Sequence, residues 1–209
     1  MSTPGLRERK KQATRAALAE AAWRLAAAHG VGAVTIDEIA QAADVSPRTF
    51  FNYFPSKEAA VLERTAAIGH GLAAAIRERP AGEPLAQTLC AAVETALLPV
   101  TMPTDGWLAT LRRMRETSPE LIPHQVAAWE RASASIAEAI AERTGTDVHH
   151  DQYPTLVTVW LLGAWRVSFD RWPTQKSTSA DVVARMQAAV RQLVAGIAEP
   201  IDDAPTRTS

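Results

Sequence analysis

Between Ser46 and Lys57 the chain carries Arg48, Thr49, Asn52 and Tyr53 on one polar side of a short segment. These side chains suit the reading of a nucleic-acid duplex. An arginine donates a bidentate pair of hydrogen bonds to guanine, and an asparagine matches adenine. Thr49, Tyr53 and Lys57 suit phosphates, which fix register without reading sequence. Thr35, Ser46, Pro47 and Phe51 complete the surface expected to face DNA, with Arg7, Lys10 and Lys11 attaching to phosphates beside it.

Two small helices must hold these groups. Thr35 followed by Glu38 is a capping-box pattern, so a helix starts after Thr35. Ile36, Ile39 and Ala40 give it an inward face. Asp44 is a plausible stop, because a short polar side chain tolerates the left-handed conformation. Ser46 caps the second helix, and Pro47 fits its first position, where no amide donor is needed. Pro55 ends it, since the residue before a proline is pushed out of the helical region. Helix, four-residue turn, helix is the helix-turn-helix pattern. At ~1.5 Å per residue the second helix is roughly 10 Å long, which fits a major groove about 12 Å wide.

From about Thr14 to Val61 the chain resembles the tetracycline-repressor (TetR) family of bacterial transcription regulators. The resemblance rests on Ala21-Ala22, Leu25, Gly30, Thr35, Ile39-Ala40, Ala43, Val45-Ser46, Thr49, Phe54 and Ser56-Lys57-Glu58. Thr49 to Lys57 is also similar to an actinobacterial subgroup that includes mycofactocin-type regulators. Many members have Gly in place of Arg48, Tyr in place of Phe51 and His in place of Tyr53. A phosphate-binding phenol is thus missing at position 51, and Arg48 adds a donor in the groove. The resemblance implies a DNA-binding repressor with a small-molecule effector site in its second domain.

The net charge of −1 does not by itself point to nucleic acid. Its distribution does: residues 1–57 carry eight basic and five acidic side chains, net +3, and the remainder is net −4. The positive end coincides with the helix-turn-helix, as an electrostatic footprint on DNA requires. Cys90 is the only cysteine, so no disulfide forms within the chain, which fits a reducing cytoplasm. The basic N-terminus lacks the apolar core of a secretion signal. The longest apolar run, Thr155 to Trp165, is about half the ~20 residues of a membrane span.

No long β-branched alternation is present, so an all-α chain of about nine helices is expected. Three of them form the DNA-binding domain at 1–55, and the rest an effector-binding and dimerisation domain at 56–198, followed by a disordered tail at 199–209. A single helix is expected from Ser56 to Arg79. Gly69 and Gly71 interrupt it, each costing about 1 kcal/mol relative to alanine. They imply either a bend or the close approach of another helix. Trp23 lies opposite Leu18 and Leu25 and is expected to face the second domain.

Five of the six tryptophans lie beyond residue 100. An apolar cleft lined by aromatics, with a few polar groups, is what a small-molecule site needs. The candidates are Trp107, Leu111, Met114, His124, Trp129, Trp160 and Trp165, with Arg112, Arg113, Gln125 and Cys90 as further polar groups. For each aromatic taken singly, core packing is the commoner role. Val157, Leu161 and Ala164 of the penultimate helix, with Met186, Val190, Leu193, Val194 and Ile197 of the last, are expected to form an isologous homodimer interface. Such a dimer spaces two recognition helices about 34–36 Å apart, one DNA turn, or a related distance, and so favours a near-palindromic operator.

An enzyme is the competing class. His149-His150-Asp151 is its best metal-binding hint, but the three sit together in a loop. There is no glycine-rich phosphate loop and no nucleophile elbow. No cofactor, metal or membrane partner is expected. A ligand-independent DNA binder is the other alternative.

Overall fold

The computed structural model describes residues 5–101, 107–170 and 179–196. The described residues form ten α-helices: α1 Leu6–His29, α2 Ile36–Ala42, α3 Pro47–Phe51, α4 Lys57–Val61, α5 Glu63–Glu78, α6 Leu85–Thr101, α7 Trp107–Thr117, α8 Leu121–Thr144, α9 Gln152–Asp170 and α10 Ser179–Ala195. Ile197, Trp172 and the tail lie outside the described residues. The chain is all-α, with an N-terminal helix-turn-helix and a larger helical unit after it.

The local signals read from the sequence have direct counterparts. Thr35 closes a reciprocal capping box with Glu38: the Glu38 amide donates to Thr35 Oγ1 at 3.3 Å, and Thr35 N donates to Glu38 Oε2 at 2.8 Å. The Thr35 amide, and after it the Thr35 hydroxyl, which donates to the same Glu38 oxygen at 2.8 Å, hold the Glu38 carboxyl below its ordinary pKa. Asp44 has φ 54°, the left-handed turn residue between α2 and α3. Ser46 Oγ accepts from Thr49 N at 3.1 Å, and Pro47 is the first residue of α3.

One feature was not legible in the sequence, and one that it left open is decided. The expected helix from Ser56 to Arg79 is broken at Leu62 (φ −89°, ψ 2°), giving ten helices among the described residues where nine were expected. No proline or glycine marks this joint. Leu62 is instead buried there, 3% exposed, so tertiary packing overrides helix propensity. Gly69, by contrast, lies within an unbroken α5. A Cβ built on it would stand 2.5 Å from Ala132 Cβ of α8. Close approach of a second helix, not a bend, accounts for this glycine.

Helix α5 runs through the centre, packed on α6 and α8. Its C-terminal end is tied to α8. Arg77 makes a two-pronged contact with Glu142 at 2.7 and 3.0 Å. The Arg143 guanidinium donates to the carbonyls of Arg79, Pro80 and Glu83 at 3.2, 2.6 and 2.7 Å. Arg79 and Glu83 pair across the same turn, and Thr88 Oγ1 donates to Glu83 at 2.9 Å. The Arg79 contact, foremost, lowers the Glu83 carboxyl to about 2.

The expected dimer face requires correction. Leu161, Met186 and Val190 are each 1% exposed, buried inside the protomer, and Val157 and Ala164 pack partly against the same core. The apolar residues of α9 that face outward are Tyr153, Leu156, Val159, Trp160 and Val167, and Val194 of α10 is also exposed. Leu193 is half-buried. Helix α9 is apolar nearly all round, so periodicity alone did not decide which stripe turns to the core.

Candidate nucleic-acid interface and ligand cavity

Helix α3 is seated by Phe50 and by Phe54, which follows its end. Phe50 and Phe54 are 0% and 1% exposed, and their rings meet 5.7 Å apart. Burial of each contributes roughly 1.5–3 kcal/mol. The opposite side carries Pro47, Arg48, Phe51 and Asn52, all exposed. Thr49 is half-buried, with its hydroxyl 2.8 Å from Ser46 Oγ. Phe51 is 58% exposed, an apolar ring on a polar face. Arg7, Lys10 and Lys11 of α1 are exposed.

Two residues expected to face phosphates, Lys57 and Tyr53, and the basic Arg15 of α1 make contacts within the protein. Lys57 Nζ turns inward and donates to the carbonyls of Gly32 and Val34 at 3.3 and 2.8 Å. It thereby ties α4 to the loop between α1 and α2, with one N–H left over. Tyr53 is half-buried against the core. Arg15, a further basic residue of α1, is a joint between elements. It bonds Glu63 of α5 at 2.5 and 2.7 Å, donates to the Tyr53 carbonyl at 2.8 Å and lies 4.5 Å from the Phe54 ring centre. The Glu63 carboxylate raises the Arg15 pKa. One side chain thus links α1, the end of the recognition segment and the start of α5. No spacing rule announces such a long-range contact. Trp23 is half-buried and shares a groove with Ala60, Val61, Arg64 and Ala67.

A cavity of about 430 Å³ opens between α5, α6, α7, α8, α9 and α10. This lies within the size range of small-molecule sites. Leu62, at the joint between α4 and α5, forms part of its wall. Among the candidates from sequence, Leu111, Trp129 and Trp165 line it. Met114 is 3% exposed but lies in the core outside the wall. His124 points to Glu58 of α4, with Nε2 3.8 Å from its carboxylate. Trp160 is on the outer face of α9, one helical register away from Leu161, which does line the cavity. The Trp107 side chain lies outside the described residues. Met186 and Leu161, placed in the dimer interface by sequence, are cavity residues here. Gln125 also lines the cavity, and its Nε2 is buried without a hydrogen-bond partner. Arg112 pairs with Glu116 at 3.0 Å, and Cys90 sits between α6 and α10, its thiol pKa raised by burial.

His149, His150 and Asp151 lie in an exposed turn, where Asp147 accepts from His149 N at 2.7 Å and contacts His150 Nδ1 at 3.0 Å. Among the described residues no group of three potential ligands is placed to hold a metal ion. Among them, too, no helix is long and apolar enough to cross a membrane.

A capped helix-turn-helix joined through α4 and α5 to a hollow helical unit defines a DNA-binding transcription regulator. Residues 18–63 match the family described as "Bacterial regulatory proteins, tetR family", and residues 83–198, more than half of the chain, match the MftR C-terminal domain. The chain belongs to the TetR family. It is 33% identical over 188 residues to the HTH-type transcriptional regulator TcmR of Streptomyces glaucescens, spanning 86% of this chain and 82% of the relative. Among solved structures, it is similar to Thermus thermophilus FadR, a TetR-family repressor in complex with lauroyl-CoA. That likeness has a TM-score of 0.56 at 25% identity, over 92% of this chain and 99% of that one. FadR from Bacillus halodurans, a fatty acid degradation regulator, shares the fold with a TM-score of 0.53 at 17% identity, over 94% and 98%.

Proposed function

We propose that the protein is a homodimeric repressor that leaves a near-palindromic operator when a small effector enters the cavity. The observation that carries this reading is the cavity's position. Leu62 is in its wall, the next residue is Glu63, and Glu63 holds Arg15 against the recognition segment. A molecule filling the cavity therefore presses on the residue beside the contact that seats α3. The effector releases DNA only to the extent that it binds the non-DNA conformation better. A coupling of roughly 1–3 kcal/mol changes operator affinity about 5–150-fold. The Thermus thermophilus relative, a repressor in complex with lauroyl-CoA, supports an effector of small-molecule type.

The homodimer is assigned to the exposed apolar stripe of α9, Tyr153, Leu156, Trp160 and Val167, and to the exposed Val194 of α10. Gly163 lies in the same stripe with open space above its Cα, which lets a second helix approach closely. We divide the chain at 55, with the reader before and the effector and dimer unit up to 198, acting in the cytoplasm.

Two measurements test the reading. Selection of bound fragments from random duplexes is expected to return a near-palindrome, and Arg48→Ala to cost about 1–3 kcal/mol and relax preference at one base pair. An equal loss on all sequences makes Arg48 a phosphate contact. A thermal-shift screen of small apolar and aromatic compounds is expected to yield stabilisers that also release the operator. Stabilisers without release, or no stabilisers at all, favour a regulator that binds DNA independently of ligand.

A further inference from the structure

The polar lining of the cavity has a sign. Among the described residues that line it, the charged side chains are Arg115 of α7 and Arg166 of α9, both exposed, and none is Asp or Glu. Gln125 of α8 adds a buried Nε2 with no acceptor. A buried N–H left without an acceptor is unfavourable, so a ligand atom that accepts there is favoured. The remaining wall is almost wholly aliphatic or aromatic, with Trp129 and Trp165 as its largest surfaces. Guanidinium groups bind carboxylates with charge-assisted hydrogen bonds in a geometry that a carboxylate matches. A cation entering the same space meets the like charge of Arg166, and no carboxylate is among the described residues that line it.

Resting on the reading that this cavity is the effector site, we propose that the effector is an anionic amphiphile. It is a single carboxylate, or a headgroup of equal charge, on an apolar or aromatic body. The headgroup lies at the edge between Arg115 and Arg166 and accepts from Gln125 Nε2, and the body fills the space beside Trp129, Trp165 and Leu62.

The test uses three probes of one shape and three charges: biphenyl-4-carboxylate, biphenyl-4-carboxamide and biphenyl-4-methylammonium, with a second set on an octyl chain. Binding to the full-length protein is measured by calorimetry, and operator release by fluorescence anisotropy. In at least one set the carboxylate is expected to bind tenfold or more tightly than the carboxamide and to release the operator, with the ammonium binding weakest. Arg166→Gln and Arg115→Gln are each expected to weaken the carboxylate about tenfold and leave the carboxamide unchanged; that unchanged affinity also shows that the variants are folded. If the carboxamide binds as well as the carboxylate, or both arginine variants leave the preference intact, the anion assignment is overturned while the cavity remains the effector site. If no probe of either set binds, the cavity reading fails and the assignment with it.

Discussion

Gly69 tests how tightly α5 and α8 meet beside the cavity, since Gly69 and Ala132 both line it. Adding a methyl group in Gly69→Ala places a carbon 2.5 Å from Ala132 Cβ, where ordinary contact begins at 3.4 Å. The two helices must part by about an ångström, or side chains must leave their preferred rotamers; overpacking of this kind costs about 1–3 kcal/mol. Against this, alanine gains about 1 kcal/mol over glycine in a helix interior. The net expectation is a loss of between zero and about 2 kcal/mol. Gly71→Ala is the control, because its Cβ would meet Ala96 Cβ at 3.8 Å, an ordinary distance. It is expected to stabilise by up to about 1 kcal/mol. In the double variant Gly69→Ala with Ala132→Gly the clash disappears and the two propensity changes cancel, so stability returns close to that of the parent. The cycle is then expected to show a coupling of about 1–3 kcal/mol. The assay is urea unfolding followed by circular dichroism, at one protein concentration throughout because dimer stability depends on it. If Gly69→Ala is as stabilising as Gly71→Ala and the cycle shows no coupling, the two helices are further apart than described and the explanation for this glycine is wrong.

Lys57→Met removes both bonds to the Gly32 and Val34 carbonyls and is expected to lower stability by about 1–2 kcal/mol. It should change the salt slope of DNA binding by less than the roughly one unit that a full phosphate contact contributes; unchanged stability with a full unit lost restores the phosphate role. Trp160→Asp places a charge in the outward stripe of α9 and is expected to yield monomers by light scattering, with operator affinity lost. A dimer that persists moves the interface elsewhere. Glu83 has a carboxyl pKa lowered from 4.5 to about 2, so its contribution to stability is present above about pH 4.5 and fades as pH falls towards 2. Glu83→Gln is expected to flatten the acid side of the urea-midpoint profile between those values, and an identical profile removes Glu83 from the account.

What the sequence made legible was local. Thr35 with Glu38, Ser46 with Pro47, and the polar turn residue Asp44 are short-range devices whose partners lie within three or four positions, and each appears as read. The side of a helix that turns inward is another matter. Periodicity found two apolar stripes on α9 but contained no information on which one met α10 and the cavity, so Leu161 and Trp160 exchanged places. The contacts of Arg15, Lys57 and Leu62 were not legible for a related reason. Their roles rest on contacts with groups 48, 23 or 25, and many more positions away, and no pattern of neighbours encodes those. The cavity's aromatics were found as a class, while bringing Arg115 and Arg166 to one cavity needed both α7 and α9 to be placed first.

The clasp of Arg143 and Arg77 on the far end of α5 has a mechanical consequence. A rod pinned at one end moves mostly at the other. Helix α5 has 16 residues, so it is about 24 Å long, and a tilt of about 5° displaces its free end by about 2 Å. That end is Glu63, the residue gripping Arg15. A tilt of α5 about that clasp therefore moves Glu63, and with it the Arg15 that bonds the Tyr53 carbonyl, more than it moves Arg77.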